Sequence, residues 1–279
     1  MERVKHMAEE TGPAPDPTRS LLAFFGSETS RLRGEAGMSQ EALAEKAHTT
    51  QSMISKVEAA KRVPSKDLAR DLDAALKTGG HFGRLHPLML TFAYPSWFLP
   101  YVELEQDATS IRAFQGQVVP GLLQTEEYAR AMLEAVRAVN LDDTVAVRMS
   151  RQAIFEREVP PTCWFVIDEP VLLRPIGGTE VMRAQLEKLL EVGADPRNVI
   201  QVIPRQAGAH PGLAGPFTLM GFDEGADVLY IDGFSQGRMA LEPREIAEAV
   251  HTYDLLRAVA LPPKESADLI REHLKEPSS

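Results

Sequence analysis

One cysteine, Cys163, stands in a chain of 279 residues, which excludes an internal disulfide and any zinc site built on several thiolates. It lies in the apolar run TCWFVID, where a small buried hydrophobe is expected rather than a nucleophile. No apolar run approaches the roughly 18 residues of a membrane-spanning helix, so no membrane span is expected. The start, MERVKHMAEETGPAPDPTRS, has no apolar core of a secretion signal, and a cytoplasmic location is the expectation. The signatures of common catalytic sites are missing too: there is no HExxH, no P-loop and no GxSxG, and Gly177–Gly178 alone carries no phosphate-binding pattern. His251 and Asp254 share a helix face without a third ligand, which reads as a surface pair. Asp168 and Glu169 precede Pro170 and read as a strand-to-turn transition. No catalytic residue, cofactor or metal is expected, and the chain is not expected to be an enzyme.

Positive charge is also short, with 30 Lys and Arg against 40 Asp and Glu, a formal net charge of −10. The deficit is unevenly spread. Residues 18–86 hold 11 basic against 8 acidic side chains, giving +3; residues 1–17 give −2, and residues 87–279, with 17 against 28, give −11. A first segment suited to nucleic acid is thus joined to a body that avoids it.

The length implies two domains. Residues 1–17 read as a disordered arm. In 18–36, Leu21, Leu22, Phe25 and Leu32 mark a first helix, stopped by Gly37. Ser39 caps a second over QEALAEKA, with Glu41 near its positive end, and Thr50 caps a third over QSMISKVEAA. Pro64–Ser65 opens a fourth, with Leu68, Leu72 and Leu76 four apart, closed by Gly79–Gly80. An all-α domain over 18–80 follows. Residues 81–103, rich in proline and aromatics around HPLMLTFAYPSWFLPYVELE, read as a connecting segment packed on the second domain. Beyond it, helices are expected at 104–115, 125–138, 142–158, 179–192, 244–258 and 264–275, and strands at 163–173, 198–204, 217–222 and 228–233. The fold class is a domain of four to five helices followed by a larger α+β domain of mixed sheet over 104–279.

Two short helices can cross closely only with a small residue on the first, a tight turn, and branched aliphatics on the inner face of the second. Counting from Gln40, Ala44 is the small residue, His48 the turn, and Ile54 and Val57 the inner aliphatics, with Leu43 beside Ala44. Gln51, Ser52, Ser55 and Lys56 then face outward. Gln suits adenine, Lys suits guanine and Ser suits either, so a groove-reading face is expected over a plain helical hairpin. Gln40, at a helix start, can donate to a phosphate; Lys61 and Arg62 suit the flanking backbone or are ordinary solvated charges.

MSQEALAEKAHTTQSMISKVEAAKRVPS (38–65) resembles the helix-turn-helix of the XRE family, which includes phage repressors, over about 20–80. The resemblance implies base contacts by Gln51, Ser52 and Lys56, with Gln40, Thr50 and Ser55 on phosphates. Two positions depart from the family: His48 replaces the glycine usual at the turn, and EAA at 58–60 replaces the usual ENG, which bears on how helix three ends.

In the second domain, Thr125 caps a helix in VVPGLLQTEEYARAML, with Glu126 and Glu127 in its first turn and Pro120–Gly121 in a turn before it. The loop PRQAGAHPGLAGPF (204–217) is too long for a tight hairpin; Gln206, His210, Pro211 and Gly212 are candidates for a ligand or partner contact, the alternative being a structural Ω-loop. The phrases VVPGLLQTEEYARAM, RMSRQAIF, WFVIDEPVLLRPIGG, MRAQLEKLLE, VIPRQAGAHPGLAGPFTLMGF and LYIDG resemble the uncharacterised C-terminal domain of actinomycete, Streptomyces-like XRE regulators, over about 95–275. That resemblance implies a sequence-specific transcriptional regulator, nucleoid-associated when bound to double-stranded operator DNA. A homodimer is expected because one module of +3 should bind weakly alone, and the resemblance implies a regulatory domain that senses a ligand or a small companion protein encoded nearby. Alternatives are an enzyme or small-molecule sensor targeted by the helix-turn-helix, and an antitoxin-like partner of a small protein.

Overall fold

The structure, a computed structural model, describes residues 15–93, 98–138, 140–234 and 236–275. Most of the arm expected over 1–17 lies outside these residues. The chain divides into two compact units at Ala93/Tyr94.

Among its described residues the first unit holds five helices: α1 (Leu21–Glu35), α2 (Gln40–Lys46), α3 (Gln51–Glu58), α4 (Lys66–Leu76) and α5 (His81–Ala93). Polar residues start them. The hydroxyls of Ser20, Ser39, Thr50 and Ser65 each accept the backbone N–H three residues on, a cap contributing about 1 kcal/mol apiece. The first turn of α5 is held by Asp73, whose carboxylate accepts from Phe82 N at 2.9 Å and Gly83 N at 2.8 Å. Residues 81–93, expected to connect and to pack on the second domain, instead complete the first unit. Phe82 is fully buried against Phe25 of α1, ring centroids 4.8 Å apart, and gives the segment a core to join.

The helix ends share one device. After α1, α2 and α3 the chain enters the left-handed region at Gly37 (φ 65), His48 (φ 50) and Ala60 (φ 55). Each time two backbone N–H groups turn back to orphan carbonyls: Gly37 to Gly34 and Met38 to Arg33, His48 to Glu45 and Thr49 to Ala44, Ala60 to Val57 and Lys61 to Lys56. The departures from the family pattern therefore leave the backbone path intact; α3 ends as a glycine would end it. α4 closes earlier than its glycines, at Lys77, itself left-handed with φ 57.

The second unit contains α6 (Leu99–Asp107), β1 (Ser110–Gln115), α7 (Glu126–Ala135), α8 (Leu141–Ser150), β2 (Thr162–Asp168), α9 (Pro170–Leu173), α10 (Thr179–Val192), β3 (Asn198–Ile203), β4 (Phe217–Gly221), β5 (Val228–Ile231), β6 (Arg238–Ala240), α11 (Pro243–Val259) and α12 (Pro263–Lys275). The strands form one mixed sheet in the order β3-β2-β1-β4-β5-β6. β1, β2 and β3 are parallel, whereas β4, β5 and β6 are antiparallel to their neighbours. One face packs Phe114, Val166, Leu219 and Leu229 against Tyr253 and Leu256 of α11. The other buries Ile111, Ala113, Cys163 and Phe165, so β1 and β2 are covered on both sides. Burial pushes the Cys163 thiol up to about 12, so it packs in the protonated form.

Two expected elements were wrong in type. The helix at 104–115 stops at Asp107, and SIRAFQ is strand β1, its Ile111 and Ala113 pointing to one buried face. The strand at 163–173 stops at Asp168, because Pro170 cannot donate to a ladder and instead opens α9. Inside the unit Glu105 and Arg151 form a buried ion pair through two 2.6 Å hydrogen bonds, and the Tyr101 hydroxyl donates to Glu105 at 2.8 Å.

Candidate nucleic-acid interface

In α2 and α3 the inner positions Leu43, Ala44, Ile54 and Val57 are all buried. Gln51, Ser52 and Lys56 are exposed on the opposite side of α3, while Ser55 is half-buried at its margin. Thr50 caps α3 through Met53 N at 3.2 Å and keeps its own hydroxyl proton for another acceptor. Lys61 is exposed just past the helix and Arg62 is half-buried.

Beneath this face runs a polar chain that the sequence did not announce. Glu58, on the last turn of α3, is buried, and its carboxylate accepts two hydrogen bonds from the Arg33 guanidinium of α1. The same Arg33 donates to the Met38 carbonyl at 2.8 Å, fixing the α1–α2 turn. Gln40 Nε2 donates to Glu58 Oε2 at 2.8 Å, and Gln51 Nε2 donates to Gln40 Oε1 at 3.0 Å. Gln40, the expected phosphate contact at the start of α2, thus joins the buried acid to Gln51 through its amide. A buried carboxylate is tolerable here because three donors satisfy it, and that bonding raises the Arg33 pKa, the Glu58 hydrogen bonds outweighing burial. Arg33 and Glu58 read as ordinary charges in sequence, since their partners lie 25 residues apart.

Gly26 is the second missed position. A Cβ there would stand 2.5 Å from the Val57 carbonyl oxygen, so α1 meets the end of α3 closely enough to exclude any side chain. The signal, a glycine inside an amphipathic helix, was present at FFGSE.

In the second unit, the candidate loop residues turn inward or outward separately. Gln206 is exposed and Pro211 half-buried, while His210 and Gly212 are buried. His210 sits edge-on to Phe114, centroids 5.9 Å apart, with Nε2 3.4 Å from Asp168. A Cβ on Gly212 would lie 2.2 Å from the Phe114 ring. At His210 and Gly212 the loop packs closely on the protein's own core. Among the described residues no group of three or more His, Cys, Asp or Glu could hold a metal ion, and no helix is long and apolar enough to cross a membrane.

Neither a search among curated proteins nor one among solved structures gives a match. Family comparison matches residues 30–80 to the description Helix-turn-helix, the region of α2, α3 and the buried chain beneath them. It matches residues 98–272, the body of the second unit, to the description Domain of unknown function (DUF5753). With more than half of its length in that match, the chain belongs to the DUF5753 family, with a helix-turn-helix ahead of the shared domain.

Proposed function

We propose that the chain is a sequence-specific transcriptional regulator in which α3 enters the major groove of operator DNA. The helix-turn-helix match makes a DNA-binding regulator the starting point. The observation that carries the finer reading is the exposed Gln51–Ser52–Lys56 face, rigidly backed by the Arg33–Glu58–Gln40–Gln51 chain. Gln51 and Lys56 offer the donors and acceptors that read adenine and guanine, while Thr50, Ser55, Lys61 and Arg62 supply polar groups for flanking phosphates. A module of +3 binds weakly alone, so two copies on half-sites about one turn apart fit best, held together by the larger unit. That acidic unit, with the −11 of residues 87–279, repels DNA and is the part free to receive a ligand or a small partner protein.

Gel-shift titration on the chain's own promoter region tests the assignment. Lys56→Ala and Gln51→Ala are expected to cost about 1–3 kcal/mol each and to relax preference at one base. Undiminished, equally selective binding by both variants would remove α3 as the reading helix.

A further inference from the structure

The two edges of the sheet are finished differently. At β3 the chain closes its own edge: Leu261 N donates to the Val202 carbonyl at 2.9 Å, and Val202 N donates to Ser266 Oγ at 2.9 Å. At the other edge β6 has β5 as its sheet neighbour and none beyond it among the described residues. The register shows which of its groups are left over. Asp232 N donates to the Pro216 carbonyl, toward β4. Successive residues of a strand turn their N–H and C=O to opposite sides, so Tyr230 also serves β4, while Leu229 and Ile231 serve β6. Their partners there are Ala240 and Arg238. Met239, between those two, directs its N–H and C=O away from the sheet, and no loop or side chain of the described residues takes them.

A second copy of the same edge fits these groups. Turned about a two-fold axis through Met239, β6 meets itself antiparallel, each Met239 N–H facing the Met239 carbonyl of the other copy. Arg238 then stands across from Ala240 of the second copy, and Leu241 across from Gly237. Arg238 and Glu242, both exposed, fall on the diagonal of this pairing, within reach of a long side chain, and no two like charges stand opposite. Arg238 already holds Glu245 through Nη1 at 3.1 Å and through Nη2, which leaves its Nε for a second carboxylate. The exposed Leu241 comes to lie over a glycine, beside the turn that carries the fully exposed Phe234. Residues 87–279, at −11, repel a second copy over most of their surface. An edge joined by backbone bonds and an Arg–Glu exchange is a place where that repulsion is overcome.

We propose that β6 pairs with β6 of a second copy of this chain, so that two sheets continue across a two-fold axis. This pairing rests on the two-copy reading above and supplies its surface. With three residues β6 is a short edge, at the small end of specific interfaces, below about 1,200 Å². The association is therefore weak, in the micromolar range, and is strengthened when both first units are held on one operator.

Sedimentation velocity of the full chain without DNA, from roughly 1 to 100 μM, should show a reversible monomer–dimer equilibrium. Met239→Pro removes the outward N–H and no bond to β5, a position where an edge strand tolerates proline, and should abolish the dimer. Leu241→Lys, at an exposed position, should weaken it about tenfold or more, the worth of a buried leucine. Glu242→Lys should weaken it too, more at low salt than at high. Circular dichroism checks folding; if Met239→Pro unfolds the second unit, the Leu241 and Glu242 variants decide. A dimer that the folded variants leave unchanged overturns the pairing but not the two-copy reading. A wild-type chain that stays monomeric yet occupies an operator as two copies in a gel shift also overturns the pairing alone, and leaves the edge to an extended peptide of another protein. One copy per operator, from a chain that stays monomeric, overturns both.

Discussion

Replacing Ala60 by glycine is expected to stabilise the first unit. Ala60 holds φ 55, a left-handed conformation that places its Cβ against backbone, a cost of about 1–2 kcal/mol for a residue other than glycine. Glycine would relieve that strain but adds freedom to the unfolded chain, taking back about 0.5–1 kcal/mol. The two bonds that close α3, Ala60 N to Val57 O at 3.0 Å and Lys61 N to Lys56 O at 2.8 Å, involve backbone alone and survive the exchange. A net gain of about 0.5–1 kcal/mol follows, or roughly 2–8 °C in the midpoint of a unit this size. Scanning calorimetry of the full chain should show the two units separately, and Gly37→Ala identifies the transition that matters. Gly37 has φ 65, and nothing lies within 4 Å of the place an added Cβ would take, so alanine there costs backbone strain without a clash. Gly37→Ala should lower the midpoint that Ala60→Gly raises. If Gly37→Ala lowers it and Ala60→Gly lowers it or leaves it unmoved, α3 does not end in the left-handed turn described.

Three further outcomes are expected. Arg33→Met strands the buried Glu58 carboxylate, and urea denaturation should show a loss of about 3–5 kcal/mol in the first unit, largely recovered when Glu58→Met is added. Gly26→Ala forces a methyl to 2.5 Å from Val57 O and 2.9 Å from Glu58 O, both backbone atoms; thermal melts should show a loss of about 1–3 kcal/mol, the cost of overpacking. His86 is buried against the Pro64 carbonyl, and desolvation lowers its pKa from 6.5, the Pro64 hydrogen bond opposing and nearby Lys66 assisting. The unfolded chain therefore takes up the proton first, so the His86 contribution is complete above the unfolded pKa and is lost as pH falls below it towards the folded value. The first-unit midpoint should drop as pH falls through 6.5, and His86→Gln should flatten that drop.

The first unit was legible because its information is local. Caps at Ser39, Thr50 and Ser65, leucines four apart, and the spacing from Gln40 through Ala44 to Val57 each concern neighbours on one helix or one turn. What escaped was long-range: Arg33 finds Glu58 across two helices, and Gly26 matters only because α3 ends against it. The same limit explains α5, whose place is set by Phe25, 57 positions before Phe82. In the second unit, α7, α10, α11, α12, β3, β4 and β5 followed period and propensity. β1 did not, since its adjacent buried Ala113 and Phe114 break the alternation of a half-buried strand, while Ile111 and Phe114, three apart, continue a helical spacing from α6. β6, three residues long, was too short to register. The 204–217 loop was marked correctly as unusual, but Gly212 serves Phe114, a partner on a strand almost a hundred residues earlier.

The order of donors along Arg33, Glu58, Gln40 and Gln51 carries a direction. A carboxylate can only accept, so Gln40 must turn its NH2 inward to Glu58 and its oxygen outward. Gln51 must then give one of its two amide hydrogens to that oxygen, which leaves its own carbonyl oxygen and one hydrogen pointing away from the protein. A buried acid at the end of α3 thus writes, through Gln40 of α2, the hydrogen-bond polarity of an exposed side chain at the start of its own helix. Glu58→Gln would keep the packing but erase that instruction, letting both amides flip and presenting the same surface with two faces instead of one.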